Sequence, residues 1–202
     1  MISGIVLAAG SSQRMGTPKA LLKIGEKTFL QHIVETLHSA RIIDVVIVVG
    51  AEAEKIQKTI IWFDGKVVIN NDWQKGQLSS IIAGLNALDL TKSEPEEIHG
   101  AIICPVDHPL LTQSLLVDLL QGYWLSKKRI IIPIHRGKRG HPIIFDRELF
   151  DDIRNAPIDI GARAVVRNHE QDIQEVDVND EGVLINIDSP DDYKKYIQNY
   201  GK

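Results

Sequence analysis

The sequence predicts an α/β fold, with a mostly parallel central sheet between two layers of helices. Three observations carry this expectation. Short apolar, β-branched runs recur along the chain, at residues 2–7, 44–49 (DVVIVV), 66–69 (KVVI), 100–104 (GAIIC) and 129–133 (RIIIP). These runs lack the in-out alternation of a half-solvated strand, so they read as strands buried on both faces. Stretches of helical periodicity separate the earlier ones, and 202 residues suffice for a sheet covered by helices.

In chain order, the first strand (2–7) leads into a glycine-containing loop, and a helix is expected over 29–39. The second strand (44–49) is followed by a helix over 52–61, and the third (66–69) by a helix over 78–88. The polar segment Thr91-Lys92-Ser93-Glu94-Pro95-Glu96-Glu97 reads as a loop before the strand at 100–104, not as a linker between domains. A helix over 111–120, the strand at 129–133 and two further strands, 142–145 and 172–176, follow. Near the end, Ser189-Pro190-Asp191-Asp192 has the form of a helix start. Ser189 is the N-cap, Pro190 occupies the first turn and two acids face the positive helix end, so a closing helix is expected over 193–200. The whole chain, 1–202, reads as one domain without internal repeats.

Composition narrows the function. Hydrophobic content of 44% and charged content of 25% are globular values. A net charge of −4 gives no general electrostatic support for binding nucleic acid or an anionic membrane. The single cysteine, Cys104, excludes an intrachain disulfide and reads as a small buried strand residue. No stretch is long and apolar enough to span a bilayer, and the N-terminal run lacks the basic flank of a signal peptide, so a cytoplasmic protein is the default.

Ligands of open α/β sheets sit beyond the carboxyl ends of the strands, so the residues just after each strand come first. After the first strand stands LAAGSSQRMGTPK, from Leu7 to Lys19. Its small residues let backbone N–H groups approach phosphate oxygens, and Arg14 and Lys19 add two cations. It is neither a Walker loop, since no Gly-Lys-Ser/Thr ends it, nor a dinucleotide fingerprint, since no glycine stands midway between Gly10 and Gly16. The bland alternative is a flexible connection with two solvated cations. After the third strand, Trp73–Gln77 forms a glycine-containing loop, and Ser79-Ser80 open a helix. They can bind a nucleoside or simply cap the helix. After the fourth, Asp107 lies at a strand tip between Pro105 and Pro109, where it can hold a hard cation or form a turn.

Four ordered motifs make the chain recognisable. LAAGxSxRMGxxK, NNDWQKGQLSSIIAGL (70–85), CPVDHPLL (104–111), and GHPIIF with NIDSPDDY near the end together resemble the nucleotidylyltransferase superfamily, whose fold is Rossmann-like and GT-A-like. The resemblance covers nearly the whole chain and is nearest to the molybdenum-cofactor branch, MobA-like NTP transferases that include molybdopterin cytidylyltransferases and guanylyltransferases. It implies a catalytic set of Arg14, Lys19 and Asp107. Nucleotide contacts would come from Leu7, Ala8, Ala9, Gly10, Ser11, Arg14, Gly16, Lys19, Asn70, Gly76, Ser79 and Ser80. Mg²⁺ would sit on Asp107 and Asp188, with Asn186 supporting from two residues earlier on the same strand face. The basic segment 127–141 would place Arg136, Gly140 and His141 against the acceptor substrate. Relatives often carry Gln in the slot of His108, whose role therefore stays open.

The reaction so implied moves a nucleotidyl group from an NTP to a phosphorylated acceptor and releases pyrophosphate. The Ala8-Ala9-Gly10 opening and the GHPIIF motif resemble the cytidylyl branch, which favours CTP and molybdopterin. Guanylyl relatives show Ala-Gly-Gly and an Asp before the lysine, where this chain has Pro18. The alternatives are molybdopterin guanylyl transfer, transfer to a sugar phosphate or alcohol phosphate, and a non-catalytic accessory role in maturing a molybdoenzyme. A reductase is a poor fit, because the dinucleotide fingerprint is absent.

Overall fold

The structure is a computed structural model that describes residues 1–89 and 98–198. Its elements run β1 (Ile2–Ala8), β2 (Lys23–Ile24), β3 (Lys27–Thr28), α1 (Phe29–Ser39), β4 (Val45–Val49), α2 (Ala53–Gln57), β5 (Lys66–Ile69) and α3 (Gln77–Asp89). Then come β6 (Gly100–Pro105), α4 (Gln113–Ser126), β7 (Ile130–His135), β8 (Lys138–Arg139), β9 (Ile143–Asp146), α5 (Phe150–Arg154), α6 (Arg163–Asn168), β10 (Ile173–Asp177) and α7 (Pro190–Tyr196). The main sheet has the order β10-β7-β9-β6-β1-β4-β5, with β8 paired to β7, and β2–β3 form a separate small hairpin. β1 pairs in parallel with both β4 and β6, β4 with β5, and β7 with β10. Within the main sheet, among the described residues, only β8 and β9 run antiparallel to their neighbours.

Both faces of the central strands β1, β4 and β6 are dry, which is why these strands are apolar without alternation. Ile2, Val6 and Ala8 of β1 pack on one side with Phe29, Ile33 and Leu37 of α1 and Leu115 and Leu119 of α4. Ile5, Leu7 and the following Ala9 face the other way, onto Leu78, Ile81 and Leu85 of α3 and Phe150 and Ile153 of α5. Val45, Ile47 and Val49 of β4 belong to the first side, and Val46 and Val48 to the second. The period of two therefore survives, but as an alternation between two cores. Gly84 lets α3 approach closely, since a Cβ there would lie 2.5 Å from Ile5 Cγ2. Cys104 is fully buried in this packing, which pushes its thiol pKa up and leaves it a small hydrophobe.

Several boundaries differ from the sequence expectation for identifiable reasons. The helix expected over 52–61 stops at Gln57, where the β-branched Thr59-Ile60-Ile61 follows and the Thr59 hydroxyl donates to Ile56 O at 2.7 Å. The helix expected from Leu111 starts at Gln113, because the Thr112 hydroxyl accepts from Leu115 N and caps it. α7 begins as expected, with a capping box between Ser189 and Asp192, and spans Pro190–Tyr196. The expected helix residues 199 and 200, like the expected loop at 91–97, lie outside the described residues. α5 and α6, five and six residues long, are too short for periodicity to reveal. Among the described residues, no helix is long and apolar enough to cross a membrane.

Candidate active site

Because β4 and β6 flank β1 on opposite sides, the chain turns one way after β1–β4 and the other way after β6. A crevice opens beyond the carboxyl ends at such a reversal. The loop leaving β1 enters it. Ser12 adopts a left-handed conformation (φ 49°), a single 3₁₀ turn spans Gln13–Met15, and Gly16 (φ 64°) ends that turn with its N–H on Gln13 O. The Ser12 hydroxyl accepts from the backbone N–H of Lys19 at 2.9 Å, pinning the far end of the loop to its start.

Lys19 reaches across the crevice. Its Nζ lies 3.4 Å from Asp107 Oδ2 and also bonds Asp188 Oδ1, with the lysine side chain only 12% exposed. An ammonium so desolvated needs paired carboxylates, and here it has two. Arg14 Nη2 stands 3.2 Å from the other oxygen of Asp188. The Lys19 hydrogen bond, reinforced by the charges of Lys19 and Arg14, holds the Asp188 carboxyl below the usual carboxylate range, so it is ionised at neutral pH.

Backbone geometry brings the two acids together. Val106 N donates to Leu7 O at 3.1 Å, and His108 N donates to Pro105 O at 3.1 Å, closing a turn around Asp107. Ile187 N donates to Asp107 O at 2.8 Å and thereby docks the segment carrying Asp188. That segment is not a strand, contrary to expectation. It is held by this bond, by the 3₁₀ turn Glu181–Leu184 before it and by the bond from Asp188 N to Asp192 Oδ2 at 3.2 Å after it. Asn186 still reaches its partner, donating from Nδ2 to Asp188 Oδ2 at 3.2 Å.

The crevice encloses about 620 Å³, within the usual range for a small-molecule site. Of the anticipated residues, Leu7, Ala8, Ala9, Gly10, Ser11, Arg14, Lys19, Gly76, Ser80, Asp107 and Asp188 line it. Gly16, Asn70 and Ser79 do not. The Asn70 amide donates to the hydroxyls of Ser79 (2.9 Å) and Ser80 (3.0 Å), while Ser79 donates within the loop to Asp72 O and Gly76 O. Those buried groups hold the loop in shape. Ser12, Gln13, Ile56, Trp73, Gln74 and Gln77 also line the crevice. Of these only the flanks of the glycines offered a sequence signal, and Ile56 offered none.

A second cavity of about 730 Å³ shares Gln74, Gly76, Gln77 and Pro105 with the first, and Gly140 and His141 line it. The rings of His108 and His141 lie 4.6 Å apart, each with Nδ1 buried and, among the described residues, without a hydrogen-bond partner. Burial first, then the neighbouring His108, depress the His141 pKa to about 4, so it is neutral at pH 7. Burial likewise lowers His108, against the opposing pull of Asp107. Arg136 lies apart from both cavities. With Gly137 (φ 74°) it forms the two-residue turn between β7 and β8, at φ 50°, and its side chain is exposed at that hairpin tip.

Residues 4–173 match the family model described as the MobA-like NTP transferase domain. The chain belongs to that family. Among its relatives is "Nicotine blue oxidoreductase" of Paenarthrobacter nicotinovorans, 28% identical over 201 residues that cover 93% of this chain and 92% of the relative. Another is "Molybdenum cofactor cytidylyltransferase" of Escherichia coli K12, 26% identical, covering 95% and 93% of the two chains. Guanylyltransferases as well as cytidylyltransferases named for the molybdenum cofactor occur among the relatives of this MobA-like domain. The fold matches a crystal structure of Rv0371c from Mycobacterium tuberculosis H37Rv with a TM-score of 0.83, at 24% identity and over 97% and 96% of the two chains.

Proposed function

We propose that this MobA-like NTP transferase, as one domain over 1–202, moves a nucleotidyl group from an NTP to a phosphorylated acceptor and releases pyrophosphate. CTP is the favoured donor and molybdopterin the favoured acceptor. One observation carries the reading. Lys19, from the glycine loop, joins two carboxylates that lie 88 and 169 residues away, with Arg14 on the second of them.

In the reaction, an acceptor phosphate oxygen attacks the α-phosphorus and the bond to the β-phosphate breaks, so no side-chain nucleophile is needed. The work left to the protein is positioning and charge stabilisation. The Gly10–Gly16 loop offers backbone N–H groups to the triphosphate, and Arg14 and Lys19 take up the charge that grows on departing pyrophosphate. Two carboxylates converging from Asp107 and Asp188 are a hard oxygen donor set that fits Mg²⁺ with phosphates completing its shell. When bound there, Mg²⁺ supplies charge neutralisation at the transferring phosphate. Ser80, Gln77 and Trp73 stand where the nucleoside would lie, and Asn70 and Ser79 act by holding that loop.

The test measures Mg²⁺-dependent pyrophosphate release with each of the four NTPs against molybdopterin and several sugar phosphates. Wild-type protein should prefer CTP with molybdopterin, and Asp107→Asn should release pyrophosphate on the order of 10²–10³ times more slowly while melting as a folded protein. Near-normal release by Asp107→Asn would sink the assignment. A second reading, redox use of the nucleotide cavity, is favoured only by the full-length similarity to a relative named an oxidoreductase. Oxidation of NADH by the same preparation, without pyrophosphate release, would establish that reading instead.

A further inference from the structure

The second cavity has a composition that nucleotide binding does not require. Its sheet wall is apolar, with Ile103, Ile132 and Phe145 all buried behind it. Its mouth carries Ile158 and Ile160 on the loop before α6, 49% and 43% exposed. A hydroxyl-rich ligand pressed against such a wall loses water without gaining hydrogen bonds, a cost for each unpaired group. A carbon-rich body gains from covering the same surface.

Charge adds a second, independent feature. Lys75, Arg139, Arg163 and Arg167 border this cavity, against Asp159 as its one carboxylate. Arg139 is already held by Glu170 and Glu175 at 2.6 Å each, and Lys75 by Asp72 at 3.0 Å. Arg163 and Arg167 are exposed and, among the described residues, make no ion pair. Four residues apart on α6, they share one face of the helix. The charge of Arg163 is felt at His141, whose ring neighbours His108 and hence the Asp107 turn, so Arg163 lies toward the junction with the nucleotide crevice.

We propose that Ile158, Ile160, Arg163 and Arg167 determine acceptor choice, selecting an anion with a flat, carbon-rich body over a hydroxyl-rich sugar phosphate. The isoleucines cover the body and the two arginines hold its negative charge. This rests on the nucleotidyl-transfer reading for the site's purpose, but its binding test does not depend on turnover.

The experiment titrates the full chain calorimetrically with 1-naphthyl phosphate and with glucose 1-phosphate, two phosphate monoesters of like charge and unlike bodies. Naphthyl phosphate should bind at least about tenfold more tightly. The double variant Arg163→Gln/Arg167→Gln should weaken it by about tenfold or more. Ile158→Ser/Ile160→Ser should weaken naphthyl phosphate about tenfold and leave glucose 1-phosphate unchanged. Binding of CTP with Mg²⁺ should stay within about twofold in both variants, and Lys19→Met should leave naphthyl phosphate binding unchanged, which separates this cavity from the triphosphate loop. Equal or tighter binding of glucose 1-phosphate, wild-type affinity in the arginine variant, or loss in Lys19→Met would each overturn the proposal. A wild-type chain that prefers naphthyl phosphate but releases no pyrophosphate from any NTP would instead refute the nucleotidyl-transfer reading.

Discussion

Replacing Gly140 by alanine separates two reasons for a glycine beside the second cavity. The family resemblance places Gly140 against an acceptor, where the absence of a side chain lets the loop approach closely. The structure supplies a competing reason, because a Cβ at this position would lie 2.4 Å from the Val183 carbonyl oxygen, 2.8 Å from its carbon and 2.9 Å from Val183 Cβ. Carbon atoms pack best at about 3.5–4.0 Å, and backbone cannot rotate out of the way as a flexible side chain can. Val183 is itself fully buried, and its carbonyl accepts from His141 N at 2.9 Å. Relief of the clash therefore displaces a core residue and, with it, the carbonyl that holds that hydrogen bond. Overpacking costs about 1–3 kcal/mol and a lost hydrogen bond about 1, so the sum is about 2–4 kcal/mol. For a chain of this size that lowers Tm by roughly 5–15 °C. The displaced turn precedes the segment bearing Asp188, so NTP affinity should fall as well. Thermal melting, urea unfolding and NTP titration of Gly140→Ala measure all three. A variant with wild-type stability and wild-type NTP affinity, impaired only toward the acceptor, would refute the packing argument.

The opposite outcome is expected for Gly10→Ala. Its added Cβ meets nothing within 4 Å, yet Gly10 lines the crevice, so stability should hold or rise by about 0.5 kcal/mol while NTP binding weakens, as melting and titration together would show. The depressed pKa of His141 makes stability depend on pH. Its folded value, about 4, lies below the ordinary 6.5, so between these values the folded state binds fewer protons than the unfolded. Its contribution, up to about 3 kcal/mol, is thus fully present above pH 6.5 and lost as pH falls toward 4. Urea unfolding at pH 7, 5.5 and 4.5 should show that decline, and His141→Asn should flatten it; an equal decline in the variant would count against the burial argument.

Strands buried on both faces were legible because that burial leaves an unbroken apolar run, whereas the two-residue β2, β3 and β8 leave no pattern to read. α1 was read to the residue because Thr28 caps a strongly amphipathic stretch. The Ser189 capping box was visible for the same local reason. Crevice-lining residues carried by glycine and proline punctuation, Gly10, Gly76 and Asp107, were equally local. What escaped is non-local. Asn70 and Ser79 look like ligand groups in the sequence, and only the fold shows them bonded to each other. Arg136 looks like part of a basic patch until a two-residue turn carries it to a hairpin tip. Arg163 and Arg167 leave no signature in the sequence, since a helix of six residues shows no period against which a cation would stand out. They stand out only once the carboxylates that satisfy Arg139 are seen to leave them aside.

The charge balance of the crevice constrains what it can hold. Arg14 and Lys19 are matched one for one by Asp107 and Asp188, so the side chains within bonding distance of each other sum to neutrality. A triphosphate brings several negative charges into this neutral, partly desolvated space, where unscreened repulsion from two carboxylates would oppose it. Loop N–H dipoles offset part of that repulsion, as they do in other anion cradles, but they are partial charges. Asp107 and Asp188 would hold a divalent cation that neutralises the remainder, and Lys19 would then share its role as counter-ion to both. On the proposed reading, the same two acids that would repel nucleotide alone would become the reason it binds with metal. Asp107 and Asp188 are then a coupled pair with Lys19, and substitutions at the three positions should be non-additive for NTP affinity.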